Sequence, residues 1–400
     1  MMSEPFLSYA RHLIDEEDVA AVAKTLRSDW LTTGPMTERF EEALANEVGS
    51  RYAIVCSSGT AALYLAASGV GLCAGDRVIV PTITFVATAS ANLLAGFEVV
   101  FADVDANTGL MHVEHVAEAL HRNGQERVKA ICPVHLGGRV ADPVGLQCFA
   151  DENGLIIIED ACHALGTRYS GEAVFQVGGC KHSVAACFSF HPIKTVAMGE
   201  GGAVTTNSKE LAQRARLLRN HGLSRSAEIT VNRELAVAAS GELNPWYYEV
   251  SEISHNFRAS EINCALGLSQ LRKLAKSLDA RRRLMAHYKA RLASLGPSIH
   301  LVPYASGTEP GWHLCAITIE FDDIELDRSV LMARLMARGI GTQVHYIPVH
   351  LQPYYRRRYG NLDLPGARAY YNRTLSLPLH AAMTEADVDR VVSALQASIN

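Results

Sequence analysis

The sequence predicts an α/β fold with a mainly parallel sheet, followed by a smaller α+β domain. From Tyr52 to about residue 206, short apolar runs alternate with helix-like segments, and this alternation favours parallel strands joined by helices. Runs such as Leu155–Ile158 are apolar at every position, which is typical of strands covered on both faces. The pattern changes near residue 265. We therefore expect a large domain at residues 1–260 and a small one at residues 261–400.

Seven segments of the first part are candidate strands because they are short, apolar and rich in β-branched residues. They are Ala53–Cys56, Arg77–Val80, Val99–Asp103, Val128–Pro133, Leu155–Ile158, Ala185–Phe190 and Ala203–Thr206. Amphipathic segments at Val113–Arg122 and Gly145–Glu152 predict helices between them. The large domain is thus expected to contain a seven-stranded sheet.

The second part has a different order of elements. Leu266 to about Leu295 predicts one long helix, because leucines recur there at helical spacing. The elements expected after it are a strand at His313–Phe321, a helix at Ser329–Arg338, a strand at Thr342–Tyr346 and a helix at Glu385–Ser398. Residues 224–250 are polar and irregular, and we expect a long loop near the active site or a subunit interface.

Composition narrows the class of protein. Hydrophobic residues make up 48% of the 400 residues and the net charge is -5, so a large core is expected and nucleic acid is disfavoured as the main partner. The nine cysteines are odd in number and form no Cys-x-x-Cys pair, which favours reduced thiols. The N-terminus lacks a signal-peptide pattern, and no uncharged apolar run approaches 18 residues. We expect a soluble, cytoplasmic protein with no membrane contact.

A candidate anion site follows the first strand. Ser58, Gly59 and Thr60 precede a helix-like segment, Ala61–Ala67. A helix N-terminus offers unpaired N–H groups and a partial positive charge, both of which suit a phosphate. An ordinary helix cap is the alternative, because serine and threonine are preferred there.

Two further segments carry reactive side chains. The strand Leu155–Ile158 ends in Glu159 and Asp160, at the edge where open α/β sheets bind ligands. An aspartate there could keep a pyridine nitrogen protonated, or it could be a solvated strand end. Lys194 lies between two apolar strands, where burial would lower its pKa and allow it to form a Schiff base. Phosphate helix, acid and lysine follow the chain order that a pyridoxal site requires.

Six motifs together resemble the DegT/DnrJ/EryC1/StrS family of sugar aminotransferases, which are fold-type-I, aspartate-aminotransferase-like pyridoxal enzymes. They are WLTTGP (30–35), SGTAAL (58–63), PTITFVATA (81–89), EDACHALG (159–166), the segment Ser189–Thr206, and HNFRASEINCALGLSQL (255–271).

The resemblance implies pyridoxal 5′-phosphate as cofactor and a role for each matching residue. Lys194 would be the catalytic residue. The expected cofactor-binding residues are Ser58, Gly59, Thr60, Phe85, Asp160, His163, Ser189 and Asn256. Of these, Asp160 would pair with the pyridinium nitrogen and Phe85 would stack on the ring. Asn256 would reach the phosphate from the neighbouring subunit of a homodimer.

The substrate end resembles the PseC branch of the family around residues 342–350 and 375–378. That branch aminates C4 of a UDP-linked 4-keto-6-deoxy-N-acetyl-L-hexosamine on the route to pseudaminic acid, and L-glutamate is the expected amine donor. The implied nucleotide-sugar residues are Tyr9, Leu31, Thr32, Thr33, Gly34, His345 and Tyr346. No metal site is expected, since His345 and His350 would point to opposite faces of a strand.

Three rival functions stay open. The first is an aminotransferase for another nucleotide-linked ketohexose, such as a D-configured UDP-4-keto sugar or a dTDP sugar. The second is a non-catalytic pyridoxal-binding regulator, although the chain has no basic helix-turn-helix segment. The third is a cysteine desulfurase, whose nucleophilic thiol would have to be Cys315, in an apolar strand-like run.

Overall fold

The computed structural model of the chain describes residues 5–226 and 230–399. Its strands are β1 (Tyr52–Cys56), β2 (Arg77–Pro81), β3 (Glu98–Ala102), β4 (Val128–Ile131), β5 (Ile156–Asp160), β6 (Arg168–Ser170), β7 (Val174–Gln176), β8 (Ala185–Ser189), β9 (Gly202–Thr206), β10 (Leu223–Ser224), β11 (Glu249–Val250), β12 (Ile299–Leu301), β13 (Thr308–Glu309), β14 (Cys315–Ile319) and β15 (Thr374–Leu377).

The helices alternate with these strands in the first half of the chain. They are α1 (Glu16–Leu26), α2 (Pro35–Val48), α3 (Gly59–Gly69), α4 (Val86–Leu94), α5 (Val113–Asn123), α6 (Pro143–Asn153), α7 (Lys209–Arg219), α8 (Arg233–Ala236), α9 (Glu261–Arg272), α10 (Leu274–Leu292), α11 (Arg328–Ala337), α12 (Pro353–Tyr359), α13 (Pro365–Arg373) and α14 (Glu385–Ile399). Among the described helices, none is long and apolar enough to cross a membrane.

The central sheet has seven strands in the order β1-β9-β8-β5-β4-β2-β3. All pairs from β8 to β3 are parallel, and β9 runs antiparallel to both β1 and β8. This confirms the α/β class and the mainly parallel sheet. Because β5, β4 and β2 point the same way, their carboxyl ends form one edge, where such sheets bind ligands.

Two cores are joined through the long helix pair. The sheet and its helices bury the first, while β12, β14 and β15 with α11 and α14 enclose the second. Within α10, Leu274 and Leu278 pack in the large-domain core, whereas Leu284 and Tyr288 pack in the small one. The change from packing against the large domain to packing against the small domain therefore occurs within α10. The proposed division at residue 260 stays a prediction.

The prediction of a single helix from Leu266 to about Leu295 is wrong. The structure has two helices there, and the first begins earlier than predicted. The first part, α9, begins at Glu261, because Ser260 caps it by accepting a hydrogen bond from the Asn263 N–H. Lys273 then interrupts the helix and binds Asp15 and Asp18 at 2.6 and 2.7 Å. The leucine spacing continues across this break, so the sequence pattern does not reveal it.

The strand expected at Thr342–Tyr346 is also wrong. This segment makes a single bridge, between Gln343 and Ser376, on the edge of β15 that does not pair with β14. The following residues leave the sheet and lie against the large domain. The segment 224–250 is partly ordered by the β10–β11 pair and α8, and its residues 227–229 lie outside the described part of the chain.

Candidate active site

One cavity of about 630 Å³ lies between the carboxyl edge of the sheet and the small-domain segment 343–347. It brings together eleven of the expected site residues. They are Tyr9, Ser58, Gly59, Thr60, Phe85, Asp160, His163, Ser189, Lys194, His345 and Tyr346. The ends of β5 and β8 and the start of α3 supply most of them. The parallel strand order therefore explains why residues far apart in sequence meet here.

Lys194 lies in a turn after β8 and is partly buried. Burial lowers the pKa of its ammonium group to about 8, against the opposing influence of Cys162 and Asp160. A lysine with such a pKa has a substantial neutral fraction near physiological pH. The neutral amine is the form that attacks a carbonyl or accepts a proton.

The start of α3 provides backbone donors. Ser58 is the N-cap, and its Oγ accepts a hydrogen bond from the Ala61 N–H at 3.1 Å. A Cβ on Gly59 would lie 2.8 Å from the Cβ of Ser189, so only glycine fits between the helix and β8. The cap and the phosphate interpretations are compatible, since capping uses the serine hydroxyl and leaves other N–H groups of the first turn available.

Asp160 ends β5 as a buried carboxylate with two internal donors. Its Oδ2 accepts a hydrogen bond from Thr88 Oγ1 at 2.6 Å, and its Oδ1 accepts one from the Cys162 N–H at 3.1 Å. Thr84 lies 2.6 Å from Thr88 and extends the chain of hydroxyls. A carboxylate has about four lone-pair sites, so a pyridinium N–H can still be accepted.

His163 links the cofactor side of the cavity to the small domain. Its Nε2 lies 3.1 Å from the Tyr346 hydroxyl, and its Nδ1 accepts a hydrogen bond from the Gly137 N–H at 3.3 Å. Burial lowers the pKa of His163 well below its usual value. The Phe85 ring, 55% exposed, lies 6.0 Å from the Tyr346 ring, so a flat face remains open to the cavity.

The small-domain wall is formed by His345 and its neighbours. His345 Nδ1 lies 2.8 Å from the Ser376 hydroxyl, and its ring lies 5.7 Å from the Tyr9 ring. Burial lowers the pKa of His345 to about 3, so this wall presents a neutral imidazole. Tyr9 reaches the wall because the Leu379 N–H donates to its carbonyl oxygen.

Asn256 and the turn Leu31–Gly34 lie outside this cavity. The turn Leu31–Gly34 contacts the segment that follows Asn256 in the chain. The Glu261 N–H donates to the Leu31 carbonyl at 3.0 Å, and Thr32 bridges Ser260. Thr33 and Gly34 line a separate cavity of about 520 Å³ together with Arg258. Two distinct surfaces of one chain therefore carry the expected site residues.

Several residues that line the cavity or support its lining were not expected from the sequence. Thr88 could have been found, since it lies one helical turn after Phe85 in the same motif. The others give no comparable signal: His191, Glu200, Gln343 and Gln352 line the cavity, and the His313 ring packs 4.4 Å from that of His163. Cys315 is fully buried, and burial raises the pKa of its thiol, so it cannot serve as a desulfurase nucleophile.

The cavity fits a phosphorylated pyridine aldehyde. Lys194 supplies an amine of lowered pKa, Asp160 a held carboxylate, and the start of α3 a cradle that a Cβ at Gly59 would obstruct. When bound, such a group would supply an electron sink for the carbon atom that loses a proton. The chain contributes the groups that orient it and move protons.

Comparison with known proteins identifies the family. The model of the DegT/DnrJ/EryC1/StrS aminotransferase family matches residues 12–396. The spore coat polysaccharide biosynthesis protein SpsC of Bacillus subtilis is 36% identical over 394 residues, covering 98% of this chain and 96% of that protein.

Two solved structures are similar over nearly their whole length. The Helicobacter pylori aminotransferase PseC, described as involved in pseudaminic acid biosynthesis, is 30% identical with a TM-score of 0.88, covering 98% of this chain and 99% of that one. DesV of S. venezuelae, solved in complex with a ketimine intermediate, is 32% identical with a TM-score of 0.84, covering 99% of both chains. The chain belongs to the DegT/DnrJ/EryC1/StrS aminotransferase family, as a sugar aminotransferase that depends on pyridoxal 5′-phosphate.

Proposed function

We propose that the protein transfers the amino group of L-glutamate to C4 of a UDP-linked 4-keto-6-deoxy-N-acetyl-L-hexosamine. The observation that carries the proposal is the single cavity in which Lys194 and Asp160 face the small-domain residues His345 and Tyr346. The fold likeness to PseC supports this choice of substrate.

Each residue of the cavity has a distinct task in this reaction. Lys194 would hold the cofactor and, in each half-reaction, move a proton between the two carbon atoms on either side of the transferred nitrogen. Asp160, held by Thr88, keeps the ring nitrogen protonated. The start of α3 and Ser189 bind the phosphate. Phe85 covers one face of the ring, and His345 and Tyr346 contact the sugar.

We further propose that two copies of the chain complete each other's sites. Asn256 and Leu31–Gly34 are expected site residues, yet they lie outside the cavity of their own chain. Nearby apolar side chains are strongly exposed, with Trp246 at 70% and Ile253 at 89%. Burying such a patch in a symmetric dimer is favourable. The dimer would deliver the Asn256 surface of one copy to the Lys194 cavity of the other.

A second candidate is amination of a different nucleotide-linked ketohexose, such as a D-configured UDP-4-keto sugar or a dTDP sugar. The comparisons support it equally, because DesI, whose structure was solved in the presence of its TDP-sugar product, is 30% identical to this chain, as PseC is. The catalytic residues would be the same in either case. The two candidate functions would differ only in which sugar the walls of the cavity accept.

An assay of the purified enzyme with matched substrates separates the two. L-glutamate is supplied together with the UDP-4-keto sugar of L configuration, its D epimer, or a dTDP-4-keto sugar, and the aminated product is quantified. The proposal predicts the highest kcat/KM for the L epimer. Activity confined to the D epimer or to the dTDP sugar would overturn the proposed substrate and leave the aminotransferase assignment intact.

A further inference from the structure

The tautomer of His163 is fixed by its surroundings. The Gly137 N–H donates to Nδ1 at 3.3 Å, so Nδ1 is an acceptor and carries no proton. Burial, reinforced by the positive charge of Lys194, lowers the pKa of His163 well below its usual range, so the ring is neutral. A neutral imidazole has one N–H. That proton must therefore lie on Nε2.

This assignment determines which way the Tyr346 hydroxyl donates. The Nε2–H of His163 points to the Tyr346 oxygen at 3.1 Å, so the tyrosine is the acceptor in this hydrogen bond. Burial raises the pKa of Tyr346 well above its usual value, and the hydroxyl keeps its own proton. Tyr346 lines the cavity, and within residues 5–226 and 230–399 its hydroxyl has no second hydrogen-bond partner. The free O–H is left to donate toward the ligand.

Three chain segments maintain this arrangement. The turn that carries Gly137 is anchored next to β14, because the His313 and Leu314 N–H groups both approach the Gly137 carbonyl, at 3.1 and 3.4 Å. The His313 ring packs against His163 with 4.4 Å between ring centres. The donor to Nδ1 and the packing that orients the imidazole thus come from different parts of the chain. A rotation of His163 would break both contacts.

We infer that His163 is a positioning residue that sets the Tyr346 hydroxyl as a hydrogen-bond donor to an acceptor oxygen of the bound ligand. Two oxygens have this chemistry: the phenolic oxygen attached to the cofactor's pyridine ring, and a carbonyl or hydroxyl oxygen of the sugar. The inference relies on the proposed function only for the identity of that ligand. The tautomer itself is a property of the chain alone.

The first test examines the cofactor-free protein. Nitrogen-15 labelling of histidine and long-range proton–nitrogen correlation spectra distinguish the two neutral tautomers and the imidazolium, and His163→Gln identifies the His163 signals by their loss. We expect an unprotonated Nδ1 and a protonated Nε2 at pH 7. A protonated Nδ1, or an imidazolium, would overturn the inference whatever substrate the enzyme uses.

The second test asks whether His163 acts through Tyr346. Tyr346→Phe should lower kcat/KM by about tenfold or more, the scale of a lost hydrogen bond to a charged or strongly polar oxygen. His163→Leu should cause a similar loss, and the double variant should be no worse than either one. His163→Gln should retain most activity, since its amide oxygen accepts from Gly137 and its amide nitrogen donates to Tyr346. Additive losses, or no rescue by glutamine, would overturn the positioning role.

The same variants identify the acceptor oxygen. If it belongs to the cofactor, Tyr346→Phe shifts the visible absorption band and its pH titration before any sugar is added. If it belongs to the sugar, that spectrum stays unchanged and KM for the keto sugar rises while the glutamate half-reaction keeps its rate. The matched control is Tyr354→Phe, because Tyr354 is 51% exposed on α12 outside the cavity. If neither quantity changes relative to this control, Tyr346 does not donate to the ligand.

Discussion

The Lys194 cavity and the surface around Asn256 are built in opposite ways. The cavity is enclosed by strand ends and a helix start, and its polar groups are held by buried partners such as Thr88 and Gly137. The Asn256 surface consists of loops and turns beside exposed apolar side chains. One chain therefore encloses the chemical half of the site, while the residues around Asn256 face outward, where the proposed second copy would bind.

The largest expected effect tests the enclosed region. Asp160→Asn keeps the shape of the side chain but removes the charge that stabilises the protonated ring, so kcat should fall by about 1000-fold. Glu159→Gln is the matched control, because Glu159 points to the other face of the sheet and binds His135 at 3.1 Å. Steady-state kinetics and circular dichroism measure both variants. Equal losses from the two would remove the special role of Asp160.

The next effect tests whether the exposed surface acts across the dimer. Lys194→Ala and Asn256→Ala should each be inactive as homodimers. Unfolding and refolding them together should restore about a quarter of wild-type activity, because half of the random dimers are mixed and each mixed dimer has one intact site. Mixed dimers are verified with two affinity tags. No recovery in verified mixed dimers would show that Asn256 serves its own chain.

A smaller effect concerns the stability of the protein in acid. Burial lowers the pKa of His350 to about 4 and that of His345 to about 3, whereas an unfolded histidine titrates near 6.5. Unfolded chains therefore bind more protons than folded ones below about pH 6.5. The free energy of unfolding is unaffected by these histidines above that pH and falls as the pH is lowered toward 4. In that window, each such histidine lowers the free energy of unfolding by about 1.4 kcal/mol for each pH unit of acidification.

Replacing one of these histidines should reduce the slope of the free energy of unfolding against pH. His350→Gln removes one titrating group and lets the amide interact with Thr82, which lies 2.6 Å from the His350 Nδ1. His121→Gln, at an exposed position on α5, is the control and should leave the slope unchanged. Urea unfolding between pH 4.5 and pH 7.5 measures both. An unchanged slope in His350→Gln would show that His350 does not contribute to acid sensitivity.

The smallest effect separates the two tasks at the start of α3. Ser58→Ala should cost about 1 kcal/mol of stability in the cofactor-free protein, because it removes the N-cap hydrogen bond to Ala61. Thr60→Ala should leave that stability nearly unchanged and weaken cofactor binding instead. Thermal unfolding and cofactor titration measure the pair. Equal stability losses would argue against assigning the cap to Ser58 alone.

The contrast between the two regions also explains what the sequence could predict. Strands such as Leu155–Ile158 are visible because burial on both faces leaves an unbroken apolar run, and Asp160 is visible because it ends such a run. The helix break at Lys273 cannot be read from the sequence, since the apolar spacing continues through it and Lys273 pairs there with two aspartates more than 250 residues away. The hydrogen bond between His163 and Tyr346 joins residues 183 positions apart, and no local pattern encodes it.

The central claim is that Lys194 carries the cofactor within the cavity of its own chain. Reduction of the purified protein with borohydride, followed by peptide mass spectrometry, tests it most directly. Lys194→Ala and the surface variant Lys181→Ala are compared with the wild type. The account predicts a visible absorption band and a label on the Lys194 peptide in the wild type and in Lys181→Ala, and neither in Lys194→Ala. A band that survives in Lys194→Ala, or a label on another lysine, would contradict it.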